Sequence, residues 1–303
     1  MESRTTTASR FEMSVRNVAV TLEMIKWEHS IFALPFALTG AVLASGGWPP
    51  LAKLGWIVLC MVSARSAAMA FNRLVDAKLD AANPRTAMRA IPAGMLSAGF
   101  VAGFVVLASA IFLLGSAMLN RLTLELAPVA LLVVLAYSYM KRITQWSHLV
   151  LGLALGIAPA AAWIAIRGSL DGRIVLLTVL VMLWVGGFDV LYACQDFEHD
   201  RSVGLNSIPQ RYGLNGAFWI ARLMHLMVIG CAVWLDRLFG LGAVGYLGTA
   251  IVTGLLAYEH SIISPNDLRR MNAAFFLLNG IISVVFFAFV LVAVLMKSRV
   301  LSN

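Results

Sequence analysis

Nine stretches of about 20 apolar residues recur along this chain, and that is the length an α-helix needs to cross the hydrocarbon core of a bilayer. They fall near residues 30–47, 54–71, 95–116, 122–140, 148–166, 174–193, 214–235, 240–260 and 273–296. Lipid offers no partner for a backbone N–H or C=O, so each stretch must satisfy its own hydrogen bonds as a helix. The expected fold is therefore all-α: a polytopic membrane protein with nine transmembrane helices. Only 13% of the residues are charged, against about 25% in soluble domains. That leaves one membrane domain over residues 30–303.

Residues 1–29 carry charge at Glu2, Arg4, Arg10, Glu12 and Arg16 and lack the apolar core of a signal peptide. We read them as a cytoplasmic tail ending in an amphipathic interfacial helix over 14–28. Val15, Val18, Leu22 and Ile25 share one face of it, while Arg16, Glu23 and Lys26 fall elsewhere. The net charge of +8 is spread over loops rather than gathered in a basic stripe, which excludes a nucleic-acid partner. Counting Lys and Arg by loop puts Arg73, Lys78, Arg85, Arg89, Lys141, Arg142, Arg201 and the basic N-terminal residues on one side. By the positive-inside rule that side is cytoplasmic, with the N-terminus. Cys60, Cys194 and Cys231 have no metal-ligand spacing, and the five histidines form no ligand pair, so neither zinc nor haem is expected. Gly152-x-x-x-Gly156 reads as a close helix–helix contact.

Two acidic segments break the apolar pattern at equivalent helix ends. Asn72, Asp76 and Asp80 are spaced i, i+4, i+8, which stacks them on one helix face. Asp189, Tyr192, Asp196 and Asp200 follow at i, i+3, i+7, i+11, with Gln195 beside them. Four spans separate the two segments, so they share one orientation. This suggests a parallel pseudo-repeat, about 30–140 and 148–260, with 273–296 as an added ninth helix. Carboxylates at membrane depth are costly and need a chemical reason. Opposed across a cavity they would repel one another unless cations intervene, and Mg²⁺ held against a phosphorylated substrate is the economical answer. Arg85, Arg89, Lys141, Arg142 and Arg201 lie on the same side and are suited to gripping a diphosphate. Asp189 lies deeper than Asp196, where it either orients a polar head or takes a proton. An ion-coupled carrier using the same carboxylates, or a membrane scaffold, are the competing readings; the carrier predicts acids at the midplane, and the scaffold leaves both acid pairs unexplained.

The N-x-x-x-D-x-x-x-D segment at Asn72, Asp76 and Asp80, and the second D-x-x-x-D at Asp196 and Asp200, resemble the UbiA superfamily of intramembrane prenyltransferases. Arg73 departs from the many members that carry a second acid after the Asn. Ile25–His29, Phe71–Asp80 with Asn83-Pro84-Arg85-Thr86, and Gly187-Phe188-Asp189 are similar to the 4-hydroxybenzoate polyprenyltransferase-like branch. Within it they look most like members serving the futalosine route to menaquinone. The resemblance implies a helical barrel around a central cavity, open to lipid and capped by cytoplasmic loops, in a bacterial inner membrane. It implies Mg²⁺ bound by Asp76, Asp80, Asp196 and Asp200, and a polyprenyl diphosphate donor. The implied acceptor is a hydroxylated aromatic acid, 4-hydroxybenzoate or 1,4-dihydroxy-6-naphthoate, its carboxylate met by Lys26 or Arg142. No obligate protein partner is implied.

Overall fold

The computed structural model describes residues 17–26 and 30–302, and every regular element among them is helical. Residues 14–16, 27 and 28 of the expected interfacial helix, and Trp27, Glu28 and His29 of the N-terminal motif, lie outside the described residues. A first helix, α1, covers 17–24 and stops at Lys26, whose positive φ of 49° is a left-handed helix end. The bundle follows as α2 (Ser30–Ser45), α3 (Leu51–Ala82), α4 (Ala98–Ala117), α5 (Arg121–Met140), α6 (Ser147–Arg167) and α7 (Gly172–Ala193). A 3₁₀ turn (Cys194–Asp196) leads into the short α8 (Phe197–Val203), then α9 (Ile208–Phe239) and α10 (Gly242–Ile262). A π-type turn (Ala273–Leu278) opens α11 (Asn279–Ser302).

Seven of the described helical segments are long and apolar enough to cross a membrane. Two of the expected spans fall short. The described apolar part of α2 is only Ala33–Ser45. In α10 the apolar run is diluted by Gly242, Gly245, Gly248, Thr249, Thr253, Gly254 and Glu259.

Close packing is set by small residues. A Cβ at Gly152 would lie 2.2 Å from the Met182 carbonyl oxygen, and one at Gly156 would lie 2.6 Å from that of Thr178. The α6–α7 crossing therefore brings backbone against backbone, as small-residue spacing allows in membranes. Gly40 meets the Pro159 carbonyl in the same way, joining α2 to α6. The core is an aromatic series: Phe36 to Trp184 at 4.9 Å, Trp184 to Phe188 at 5.0 Å, Phe188 to Phe275 at 5.1 Å and Phe275 to Tyr192 at 4.2 Å between ring centroids. It runs from the bundle interior to the acidic end. Apolar side chains turned outward, among them Val106, Leu132, Trp219 and Leu226, are exposed, as a lipid-facing surface requires.

α3 has 32 residues, about 48 Å at 1.5 Å per residue, more than the roughly 30 Å hydrocarbon core. One end must project, and Asp76 and Asp80 ride on its last turns. The expectation of one continuous stripe from Asp189 to Asp200 is modified, because the 3₁₀ turn and α8 re-aim the chain between Ala193 and Asp200.

Candidate functional site

The chain brings both acidic segments to one end of the bundle, around a cavity of about 650 Å³. Asn72, Asp76 and Asp80 line it from α3; Asp189, Tyr192, Asp196 and Asp200 line it from the α7–α8 region. Arg85, Arg89, Lys141 and Lys26 line it as well.

Three of the carboxylates, Asp76, Asp80 and Asp196, are matched to lysine or arginine. Asp76 is 2% exposed and would be costly unpaired. Its Oδ2 accepts from Lys141 Nζ at 2.5 Å and from Asn72 Nδ2 at 3.1 Å, and its Oδ1 accepts from Arg142 Nη2 at 2.8 Å. Arg142 also donates to the carbonyls of Ser138 and Val75, which fixes its guanidinium on the end of α3. Asp80 Oδ1 accepts from Arg89 Nη1 at 2.6 Å, while its Oδ2 is buried with no hydrogen-bond partner. Asp196 receives the fork of Arg85, Nε on Oδ1 at 2.8 Å and Nη2 on Oδ2, and Asn83 Nδ2 at 3.3 Å. Burial works against the Arg85 guanidinium, yet its hydrogen bond and charge pairing with Asp196 carry its pKa above the ordinary arginine value. The same guanidinium reaches Tyr192 Oη at 3.4 Å.

Three connections are pinned across this end. Arg85 and Asn83 tie the segment after α3 to Asp196, and the Asn206 N–H donates to the Lys141 carbonyl at 2.8 Å. Three sequence-predicted residues stay out of the chamber lining: Arg201, Gln195 and Arg142, which reaches it only through Asp76. Arg201 is exposed on α8, and Gln195 turns its amide back to the Tyr192 carbonyl at 3.4 Å. Sequence reasoning missed His148, which is buried in α6 with Nδ1 2.7 Å from Asp189 Oδ2. It also missed Phe275 and Phe276, which line the chamber from the π-type turn.

A second cavity of about 380 Å³ adjoins the first. Its walls are mostly apolar: Ala64, Ala68, Phe112, Leu126, Ala130 and Val134 are among them, with Arg65 the one basic side chain among the described residues. Tyr137, Asp189 and Phe275 line both cavities, so the charged chamber and the apolar one adjoin at their level.

Magnesium takes hard oxygen ligands at sites that commonly supply one or two carboxylates and leave the rest to water and phosphate. The chamber offers that donor set: paired carboxylates and a buried, unpartnered Asp80 Oδ2. No three His, Cys, Asp or Glu side chains among the described residues are close enough to enclose an ion alone. The residues fit an ion shared with phosphate oxygens and do not fit a closed structural metal site.

An all-helical bundle with apolar membrane-length segments, whose charged chamber adjoins an apolar cavity, defines an integral-membrane protein. Comparison with known proteins gives the family. Residues 33–281 match the UbiA prenyltransferase family, and the chain belongs to that family. It is 33% identical over 250 residues to the 4-hydroxybenzoate octaprenyltransferase of Vibrio cholerae, spanning 81% of this chain and 86% of the relative. It is 31% identical to the enzyme of the same name from Aliivibrio fischeri, over 86% of this chain and 90% of the relative. Among solved structures, the apo UbiA homologue from Aeropyrum pernix K1 superposes with a TM-score of 0.80 at 33% identity, covering 88% of this chain and 98% of that one. The Archaeoglobus fulgidus homologue bound to GPP and Mg²⁺ shares the fold, with a TM-score of 0.69 at 18% identity, 91% of this chain and 99% of that one.

Proposed function

We propose that the chain moves a polyprenyl group from its diphosphate to the ring of a hydroxylated aromatic acid, with Mg²⁺ as cofactor. The observation that carries this is the adjacency of the two cavities: a chamber lined by carboxylates and cations beside an apolar space, with lining residues in common. A polyprenyl diphosphate has that division of polarity. In this reading Asp76, Asp80, Asp196 and Asp200 hold Mg²⁺, Asn72 orients Asp76, and Arg85, Arg89, Lys141 and Arg142 turn from the carboxylates to the diphosphate. Tyr192 and the Phe275 ring close the chamber over the reacting carbon. Bound Mg²⁺ neutralises the diphosphate and lowers the cost of its departure. The chain's own cations add to that stabilisation in a site walled from water, where each charge interaction is strengthened. Lys26 or Arg142 meets the acceptor's carboxylate.

The names of the relatives favour 4-hydroxybenzoate as acceptor; the motif resemblance to the futalosine-route members keeps 1,4-dihydroxy-6-naphthoate as the second reading. The remaining parts of the proposal concern the membrane. α2 and α10 complete a bundle of nine spans in the bacterial inner membrane, the N-terminus and the chamber face the cytoplasm, and the segments joining α3 to α4 and α7 to α9 form its cap. The test is transfer by purified protein in nanodiscs, given a polyprenyl diphosphate and both acids in competition, with the product identified by mass. Prenylated acid that forms with Mg²⁺ and not with EDTA supports the reading, and its mass names the acceptor. Intact diphosphate with either acid overturns it.

A further inference from the structure

Aromatic prenylation releases a proton, and the roles proposed for the diphosphate and metal residues leave its acceptor unassigned. The new C–C bond joins the allylic carbon to a ring carbon beside the hydroxyl, as the bond from that allylic carbon to the diphosphate oxygen breaks. The ring carbon then carries both the prenyl group and its hydrogen. Aromaticity returns only when the C–H pair falls back into the ring and the proton leaves. An acceptor for it must stand where the allylic carbon stands, at the boundary between the apolar tail space and the charged chamber.

Asp189 is the carboxylate at that boundary, since it lines both cavities. Its environment also separates it from three of the other acids. Asp76, Asp80 and Asp196 are each held by a lysine or arginine, whereas Asp189 is held by His148, with Nδ1 2.7 Å from Oδ2. His148 is itself fixed. Its Nε2 lies 3.4 Å from the Ile208 backbone N–H, which can only donate, so Nε2 accepts and the ring hydrogen of neutral His148 sits on Nδ1. That hydrogen points at Asp189 and directs one carboxylate oxygen, while the side chain keeps 22% exposure.

The geometry points to Asp189 as the base that takes the ring proton, with His148 as its positioning residue, held in one tautomer by the start of α9. This rests on the prenyl-transfer reading. The proton leaves through the charged chamber, which Asp189 also lines, when the product departs. A histidine on a carboxylate is the arrangement that orients a general base in other chemistries; here the base is the carboxylate and the imidazole orients it.

The test uses the full chain in nanodiscs with Mg²⁺, a polyprenyl diphosphate, and each of the two acids in turn, normal or deuterated at the ring positions beside the hydroxyl. The wild type is expected to turn both isotopic forms over equally. Asp189→Asn should slow transfer by about 10²-fold, the scale of a lost general base, and should now distinguish the deuterated acceptor. His148→Leu should show the same isotope sensitivity with a smaller loss and an unchanged KM for the diphosphate. His148→Asn, which keeps an N–H near the Nδ1 position, should recover part of the rate. Retained thermal stabilisation by diphosphate with Mg²⁺ identifies folded variants, and the histidine pair decides the matter if Asp189→Asn does not fold. Slowed variants without any isotope effect overturn the inference, as does a His148→Leu that behaves as wild type. A wild type that transfers nothing overturns the prenyl-transfer reading instead, so the two failures are distinct.

Discussion

At the scale of single residues, a buried acid is costly until a cation meets it, and for Asp76, Asp80 and Asp196 the chain supplies the cations itself. Asp76 faces two of them, Lys141 and Arg142. Breaking a fully buried pair costs about 3–5 kcal/mol, discounted here because Lys141 and Arg142 keep 33% and 31% exposure. Asp76→Asn should therefore lower the melting temperature yet leave a folded bundle, while transfer falls by about 10²–10³-fold, the scale of a lost preorganised charge. A variant with near-native turnover would remove Asp76 from the metal set. Arg85 grips Asp196 with a two-toothed fork, which a lysine ammonium does not reproduce. Arg85→Lys should raise the KM for diphosphate several-fold in steady-state assays while kcat changes less; equal effects on both would place Arg85 in the chemical step. The acid motif was legible because its spacing is local: i, i+4, i+8 names a helix face without a structure. His148 was not legible, because its partner Asp189 is 41 positions away and a lone histidine in an apolar run reads as packing. Arg201 erred the other way, since adjacency to Asp200 in sequence put it in the site and α8 turns it outward.

At the scale of elements, the helix positions could be read from apolar run length, and all nine expected runs coincide with helices among the described residues. Their ends were harder. α3 runs on to Ala82, because past the apolar run its residues are still good helix formers, and that extension carries the site. The π-type turn at Ala273–Leu278 left no periodic signal, yet it places Phe275 against Tyr192. Charge counting also blurred a distinction the structure draws. At the end opposite the chamber Lys53 donates to the Ile166 carbonyl, Arg167 to that of Ala44 and Lys297 to that of Phe239. These cations close helix C-termini, where unpaired carbonyls and the helix dipole favour positive charge, in addition to any role in topology. The small-residue contacts make the sharpest element-level prediction. Gly152 meets the Met182 carbonyl, which cannot move aside as a flexible side chain would. Gly152→Leu should force α6 from α7 and shift the thermal unfolding of the detergent-solubilised protein down by several degrees, whereas Gly55→Leu, with open space at its Cβ, should leave it unchanged. Equal melting of the two variants would deny the α6–α7 contact its role.

At the scale of the whole molecule, one substrate, under the proposed reading, is divided between the two cavities and so between two physical environments. The charged chamber strengthens electrostatic contacts with the head, and the apolar cavity takes carbon with no polar group to satisfy. Its volume of about 380 Å³ is near the lower end of pockets that enclose a drug-sized ligand, about 300–1,000 Å³. It accommodates the first isoprene units, and a longer tail must continue beyond it towards lipid. Chain length should then be felt where the tail passes along the wall of this cavity. Ala130 lies on that wall, about midway along α5 and away from every charged group of the chamber. Ala130→Phe fills the path, at an overpacking cost of about 1–3 kcal/mol if the neighbours cannot yield. Dimethylallyl diphosphate stops short of Ala130 and should keep most of its kcat/KM, while geranylgeranyl diphosphate should lose at least about tenfold, the factor that 1.4 kcal/mol of lost binding represents. The ratio of the two kcat/KM values, measured with one acceptor, cancels any general effect on folding or on the chamber. An unchanged ratio would mean that the tail leaves the junction by another route and that this cavity is packing space alone.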